Sequence, residues 1–225
     1  VPKHFHFPGI DERAVILGRT GSGKTQLGAY ILARAPFDKQ PYVIVDFKRD
    51  KLLNSIDRIR EMGMNEIPTK PGVYIIHPLP GQDEDLEKWL WDVWSQENIG
   101  LFFDEGTLVP DKAAFSAVLR QGRSKNIPVI TLSQRPVDLP RSVYTESEHI
   151  AVMSLQDERD KKTVSYFTPD GMLDKRLKKF HSYWYNIGQH DDTDERPWFE
   201  VAPVPDADKI RELLQSRLAP RHRIT

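Results

Sequence analysis

Residues 14–25, AVILGRTGSGKT, constrain the chain more than any other stretch: an apolar run, then a glycine-rich loop closing on Lys-Thr. Gly18-Arg19-Thr20-Gly21-Ser22-Gly23-Lys24-Thr25 satisfies G-x-x-x-x-G-K-[ST] at every position. The pattern has a physical reason. Glycines let the backbone wrap closely enough for its N–H groups to cradle phosphates, and the positive end of the following helix points at the same charge. Lys24 is then expected to reach the β and γ oxygens, and the Thr25 hydroxyl to ligate Mg²⁺. Residues Gly18 to Thr25, with Gln26 behind them, form the expected nucleotide cradle. The loop does not say whether the triphosphate drives a motor, feeds a kinase or times a switch.

The rest of the chain alternates. Strand-length apolar runs occur at AVILG, PYVIVDF (41–47), GVYIIH (72–77), IGLFFDE (99–105), PVITLSQ (128–134) and HIAVMSL (149–155). Between them lie helical patterns: TQLGAYILARA, with Leu27, Tyr30 and Ile31 and a stop at Pro36; KLLNSIDRIREMG, with Leu52, Leu53, Ile56 and Ile59; DLEKWLWDVWSQ, burying Leu86, Trp89, Leu90, Val93 and Trp94; KAAFSAVLRQ; and DERDKKTVSYF. Strands apolar on both faces, separated by amphipathic helices, predict an α/β fold with a mainly parallel central sheet covered on both sides. After residue 170 the pattern changes. HSYWYNI and WFEVAPV read as strands that an acidic loop, GQHDDTDERP, allows to pair antiparallel, and DADKIRELLQSRLAP reads as a closing helix, docked on its own domain or on a neighbouring subunit. The expectation is one domain over 1–225, with a core of about 10–190 and a C-terminal extension of about 191–225.

Composition excludes several classes. The chain has no cysteine, which removes disulfides, zinc knuckles and thiol chemistry. No apolar run approaches the ~18 residues of a membrane span, and residues 1–13 lack the apolar region of a secretory signal, so the cytoplasm is the default compartment. The formal net charge of −1 advertises no nucleic acid, although RQGRSK (120–125) and DKRLKK (174–179) are basic and QDEDLEKWLWD (82–92) acidic. Solvated helix faces and a DNA path inside an oligomer both account for such segments.

Two further stations narrow the use of the nucleotide. LFFDE ends an apolar strand in Asp104 and Glu105. Beside the phosphate loop, Asp104 is placed to hold the Mg²⁺ shell and Glu105 to polarise an attacking water, which a hydrolase or motor needs and a small-molecule kinase does not. Lys24 and Asp104 lie 80 positions apart, with two βα units between, leaving room for an extra strand between the two nucleotide strands, as in ring-forming motors. No N-K-x-D guanine signature occurs. The strand PVITLS then ends in Gln134, a polar tip suited to sensing the γ-phosphate. Arg123, 11 positions earlier, is the favoured arginine finger for a neighbouring subunit's nucleotide, with Arg120 in reserve; the plain alternative is solvated or DNA-phosphate-binding arginines. RPVDLPRSVY, with Arg135 and Arg141, is the segment expected to couple hydrolysis to movement.

Taken together, the phosphate loop, VIVDFK, LFFDE, QGRSKNIPVITLSQRPVDL, HIAVMSLQDERD and LKKFHSYWYNI resemble the FtsK–HerA superfamily of DNA-pumping ATPases over residues 10 to 190. Within it the chain is most similar to the genome-packaging ATPases of membrane-containing viruses with double jelly-roll capsids. The resemblance implies a RecA/ASCE-like phosphate-loop fold, ATP and Mg²⁺ as cofactors, and a homo-oligomeric ring, typically a hexamer, hydrolysing ATP at its interfaces. It implies double-stranded DNA gripped without regard to sequence, a capsid vertex or membrane protein as structural partner, and work in the host cytoplasm or at the packaging vertex of the virion. The 225 residues show no winged-helix or N-terminal barrel of the cellular members, which favours the viral subgroup. A plasmid-transfer or repair translocase is the near alternative, and a nucleotide-dependent switch or scaffold the distant one. His4 and His6, and His190 beside Asp191 and Asp192, resemble metal ligands without a third partner and are read as surface residues. Trp91 lies off its helix's buried face, and Asp46 is either a water-orienting or a structural carboxylate.

Overall fold

A computed structural model describes residues 6–187 and 198–218. A nine-stranded sheet runs in the order β3-β4-β2-β5-β6-β1-β7-β8-β9. Its strands are β1 (Arg13–Leu17), β2 (Pro41–Val45), β3 (Arg60–Glu61), β4 (Gly72–Ile76), β5 (Gly100–Phe103), β6 (Val129–Ser133), β7 (His149–Val152), β8 (Ser182–Asn186) and β9 (Trp198–Val201). Every pairing from β3 to β7 is parallel. β7–β8 and β8–β9 are antiparallel, so the C-terminal extension continues the same sheet.

Alternation along each strand divides the core into two layers. Val15, Leu17, Val43, Val45, Leu101 and Phe103 face one side, against α3 (Asp83–Gln96), α4 (Ala113–Gln121), α5 (Arg141–Thr145) and α6 (Glu158–Ser165). Ile16, Ile44, Phe102, Ile130 and Leu132 face the other, against α1 (Lys24–Leu32), α2 (Lys51–Asn54) and α7 (Ala207–Arg217). Burial on both faces is why the strands read as unbroken apolar runs rather than alternating ones. The closing helix docks on its own chain: Ile210 and Leu214 are fully buried, and the Arg58 guanidinium donates to the Gln215 and Leu218 carbonyls at 2.6 and 2.9 Å.

Two expectations are corrected. KLLNSIDRIREMG is not one helix. The Asp50 carboxylate caps Leu52 and Leu53, but the helix ends at Asn54, and Arg60–Glu61 pairs with Tyr74 and Ile75 as an edge strand. Leu52, Leu53, Ile56 and Ile59 are all buried as expected, so the apolar spacing reported burial while the open edge of β4 took the backbone hydrogen bonds. The second correction concerns the strand between the nucleotide strands. It exists, but it is β6, which follows Asp104 in sequence; the two units between Lys24 and Asp104 supply β2 and β4, on the outer side of β5. Among the described residues no helix is long and apolar enough to cross a membrane.

Candidate nucleotide-hydrolysis site

The C-terminal ends of β1, β2, β5 and β6 converge on one edge of the sheet, and the phosphate loop leaves β1 there. Two hydrogen bonds strap it down: Gly18 N–H donates to the Ser133 carbonyl at 3.1 Å and Arg19 N–H to the Ser154 carbonyl at 2.9 Å. Gly21 (φ 76°) and Gly23 (φ 101°) take left-handed conformations that an L side chain would resist, turning the chain into α1. An open cavity of about 770 Å³ lies over this turn, bounded by the loop, Lys48, Asp104, Glu105 and Gln134, and by Phe180 and Arg211.

Helix α1 is set close to the sheet at Gly28. A methyl group there would stand 2.9 Å from two Phe102 ring atoms and 3.0 Å from Leu132 Cδ1. Close approach carries Thr25 to β5, where its hydroxyl donates to Asp104 Oδ1 at 3.1 Å. Two hard oxygens at that spacing suit adjacent positions on octahedral Mg²⁺, whose bonds of about 2.0–2.1 Å set neighbouring ligands about 2.9 Å apart. Burial, reinforced by the Asp50 and Asp46 carboxylates, pushes the Asp104 carboxyl up to about 6. The Lys24 ammonium lies 3.3 Å from the Arg19 carbonyl, and burial lowers its pKa from the ordinary lysine value. A site that destabilises both a bare carboxylate and a bare ammonium is suited to taking in a cation and a phosphate together.

Glu105 is buried and fully engaged. Its Oε2 accepts from Lys48 Nζ at 2.5 Å, while Oε1 accepts from the Thr107 hydroxyl at 3.0 Å and from the Gln134 backbone N–H at 3.4 Å. The Gln134 side-chain oxygen accepts from the Thr20 hydroxyl at 2.5 Å. Gln134 therefore touches both the phosphate loop and the carboxylate beside it, a position created by the insertion of β6 between β1 and β5. Beyond it, Val137 N–H donates to the buried Asp160 carboxylate of α6 at 3.0 Å, and the Tyr144 hydroxyl to the Pro136 carbonyl at 2.6 Å.

Arg123 is not in this constellation. It lies in a short 3-10 turn after α4, with Nε 3.4 Å from Asp11, which precedes β1. That is the other end of the sheet, separated from the phosphate loop by the five residues of β1, or about 17 Å. Arg120 sits in the last turn of α4 near the same end. Asp46 is a structural carboxylate: it accepts the N–H groups of Lys48 and Asp50 and the Asn54 side-chain amide. Trp91 is partly exposed and meets Trp94 edge-on at 5.6 Å. His4, His190, Asp191 and Asp192 lie outside the described residues.

Sequence reasoning passed over Lys48, Phe180 and Arg211. Lys48 had a signal, because a charged residue just past an apolar parallel strand stands at the same sheet edge as the phosphate loop. Phe180 and Arg211 had none; only the return of the C-terminal segment onto α1 brings them to the cavity.

No family model matches the chain. It is 38% identical over 215 residues to the DNA packaging ATPase P9 of Enterobacteria phage PRD1, an alignment covering 90% of this chain and 92% of that protein. The fold is similar to the genome packaging NTPase B204 of Sulfolobus turreted icosahedral virus 2 solved with AMPPCP (TM-score 0.71, 20% identity, 88% of this chain and 100% of that one). It is also similar to the pCW3 conjugation coupling protein TcpA with ATPγS (TM-score 0.55, 15% identity, 92% of this chain and 65% of that one). The phosphate loop, the Thr25–Asp104 pair and the strand inserted between them are thus found in a chain that aligns with P9 almost end to end, and the protein belongs to the DNA packaging ATPases of the FtsK–HerA type.

Proposed function

We propose that this protein is the ATP-hydrolysing subunit of a viral genome-packaging motor and that residues 1–225 act as one motor unit. The observation that carries the reading is the contact set of Glu105: a buried carboxylate next to the Asp104–Thr25 pair, hydrogen-bonded to the Gln134 backbone on the intervening strand. The loop N–H groups and Lys24 take the phosphates. Thr25 and Asp104 are the residues that would hold Mg²⁺, which would neutralise charge between the β- and γ-phosphates. Glu105 orients a water in line with the γ-phosphorus and accepts its proton as the P–O bond to the departing ADP breaks. Lys48 Nζ meets the Glu105 oxygen that a water would need, and a γ-phosphate in the same cavity would compete for that ammonium. Gln134 reports the phosphate's presence through Thr20, and the anchored segment after it carries that report towards α6.

The remote position of Arg123 fits a role in trans and no role in cis. Such a role requires a ring that brings one subunit's N-terminal sheet edge to the next subunit's nucleotide; a homohexamer around double-stranded DNA is the arrangement proposed. Virion assembly in the host cytoplasm is the setting, with a capsid vertex or membrane protein as docking partner. DNA held by its backbone should release steeply with salt.

The test is steady-state ATP hydrolysis with and without long double-stranded DNA for wild type, Glu105→Gln and Arg123→Ala, alone and mixed. Loss of DNA-stimulated turnover in each variant, with partial recovery on mixing, is expected. Hydrolysis indifferent to DNA and to Arg123→Ala would refute the motor and its trans arginine.

A further inference from the structure

At the sheet edge opposite the phosphate loop, the register of β1 with β7 aligns Ala14 with His149. Glu12, two residues before Ala14, therefore comes beside His149, and its Oε2 lies 3.1 Å from His149 Nε2. The segment ahead of β1 folds back over the same point, placing His6 Nε2 3.3 Å from Glu12 Oε1. The three donor atoms lie within 4.8 Å of one another. No part of the hydrolytic site uses them.

We propose that His6, Glu12 and His149 form a binding site for a borderline divalent transition cation of the Zn²⁺ class, fastening the segment before β1 to the edge of the sheet. Two imidazoles and one carboxylate are a donor set that zinc favours, with water completing a tetrahedron. Bonds of about 2.0–2.1 Å place tetrahedral ligands about 3.3 Å apart. His149 Nε2 lies 3.1 Å from Glu12 Oε2 and His6 Nε2 3.3 Å from Oε1, so the two imidazoles flank the carboxylate near that spacing, and the half-exposed His6 has to swing inward for both to meet one ion.

The fixed part of the set is prepared for the ion. His149 is fully buried, and its ring is held edge-on by Trp184 at 5.6 Å. Its Nε2 faces the Glu12 carboxylate, and its Nδ1 has no hydrogen-bond partner among the described residues, so the ring proton can pass to Nδ1 when the ion takes the Nε2 lone pair. Glu12 Oε2 also accepts the Gly9 backbone N–H at 2.7 Å, the outer-shell hydrogen bond by which metal-binding carboxylates are commonly oriented. Magnesium does not suit the site, because it prefers an all-oxygen octahedron. The nucleotide edge and this edge therefore differ in ligand chemistry as well as in position.

The test is zinc binding by the full chain after chelator treatment, read by competition with a chromophoric chelator and by the melting temperature, with Mg²⁺ in large excess to cover the oxygen ligands of the nucleotide site. Wild type is expected to take up one Zn²⁺ per chain and to melt higher as Zn²⁺ rises. His6→Ala removes only the half-exposed ligand and leaves the buried pair intact; it should weaken binding at least about tenfold without lowering the metal-free melting temperature by more than a degree or two. Glu12→Gln should weaken it similarly. Absence of stoichiometric binding in the wild type, or His6→Ala and Glu12→Gln chains that bind as tightly as wild type, would overturn the assignment.

Discussion

Gly28→Ala tests whether the spacing of α1 from the sheet sets the nucleotide site. In an ordinary helix this change adds about 1 kcal/mol, because alanine is the better helix former. Here the new methyl would lie 2.9 Å from Phe102 and 3.0 Å from Leu132, both fully buried and unable to swing into solvent. Apolar carbons rest about 3.5–4.0 Å apart, so the helix must retreat by about 0.5–1 Å. Overpacking of that kind costs about 1–3 kcal/mol, leaving a net loss of about 0–2 kcal/mol, or up to about 8 °C for a chain of this size. The larger effect falls on function. Thr25 lies one turn from Gly28 on the same helix, and lengthening its 3.1 Å contact with Asp104 by the same amount removes the hydrogen bond and the paired donor set. Misplacement by about 1 Å is worth about a hundredfold in rate. Thermal melts with and without Mg²⁺ and nucleotide, beside steady-state turnover, separate the two effects. A variant that melts 2–4 °C higher than wild type with undiminished turnover would mean that α1 is not pressed against β5 and β6, and the account of the site would fail.

Two further outcomes follow from charges in the cavity. Burial pushes the Asp104 carboxyl up to about 6, above the ordinary carboxylate value of 3.8, so the fold binds this proton more tightly than the unfolded chain does; the stability this supplies is complete below about pH 4 and lost as pH rises through 6. At pH 7.5, in chelator and without nucleotide, Asp104→Asn should therefore be more stable than wild type by up to about 3 kcal/mol while losing Mg²⁺-dependent nucleotide binding, and denaturant melts that show it less stable would contradict the raised pKa. Lys48→Met leaves the buried Glu105 carboxylate without its ammonium; with the lysine 40% exposed the full cost of breaking a buried pair is screened to about 1–2 kcal/mol. In a double-mutant cycle, Glu105→Gln should make Lys48→Met nearly neutral, and purely additive melting shifts would show that the pair is not coupled.

The sequence made the site legible where its chemistry is local. A strand, a glycine loop and a helix start occupy consecutive residues, so the Gly18–Thr25 cradle needed no tertiary information. Asp104 and Glu105 were legible because a carboxylate pair at the end of a buried strand has few places to be except a sheet edge. What pairing determines was harder to see. The apolar spacing of residues 52–59 marks burial under either a helix or a turn leading into an edge strand, and only the vacancy beside β4 decides between them. The interval between Arg123 and Gln134 contains the whole of β6, so a count of 11 positions that suggests closeness corresponds to opposite ends of the sheet. His149 gave no signal at all, since its relation to His6 and Glu12 exists only in the register of β1 with β7. Gly28 did carry one: a glycine inside a helical pattern is an expense that close packing explains.

The inserted strand also decides where the effect of hydrolysis can emerge. β6 is paired along its whole length with β1 and over Val129–Thr131 with β5, so its body cannot slide without breaking two ladders. Only its end is free to respond, and there Gln134 holds the phosphate loop through Thr20 and Glu105 through its backbone. The residues immediately after it are bound to α6 by the Val137–Asp160 hydrogen bond and to α5 by the Tyr144–Pro136 one. A change in phosphate occupancy that shifts Gln134 must therefore pass into the 3-10 turn Pro136–Asp138 and the two helices attached to it, since the strand behind it is the stiffer side. Arg135 sits on that turn half exposed, with Asp138 at 3.6 Å and Asp160 at 4.0 Å. Neither contact is close enough to lock the guanidinium, so a small rotation of the turn changes how much of its positive charge faces outward. On the proposed reading, sensing and output share this one short segment.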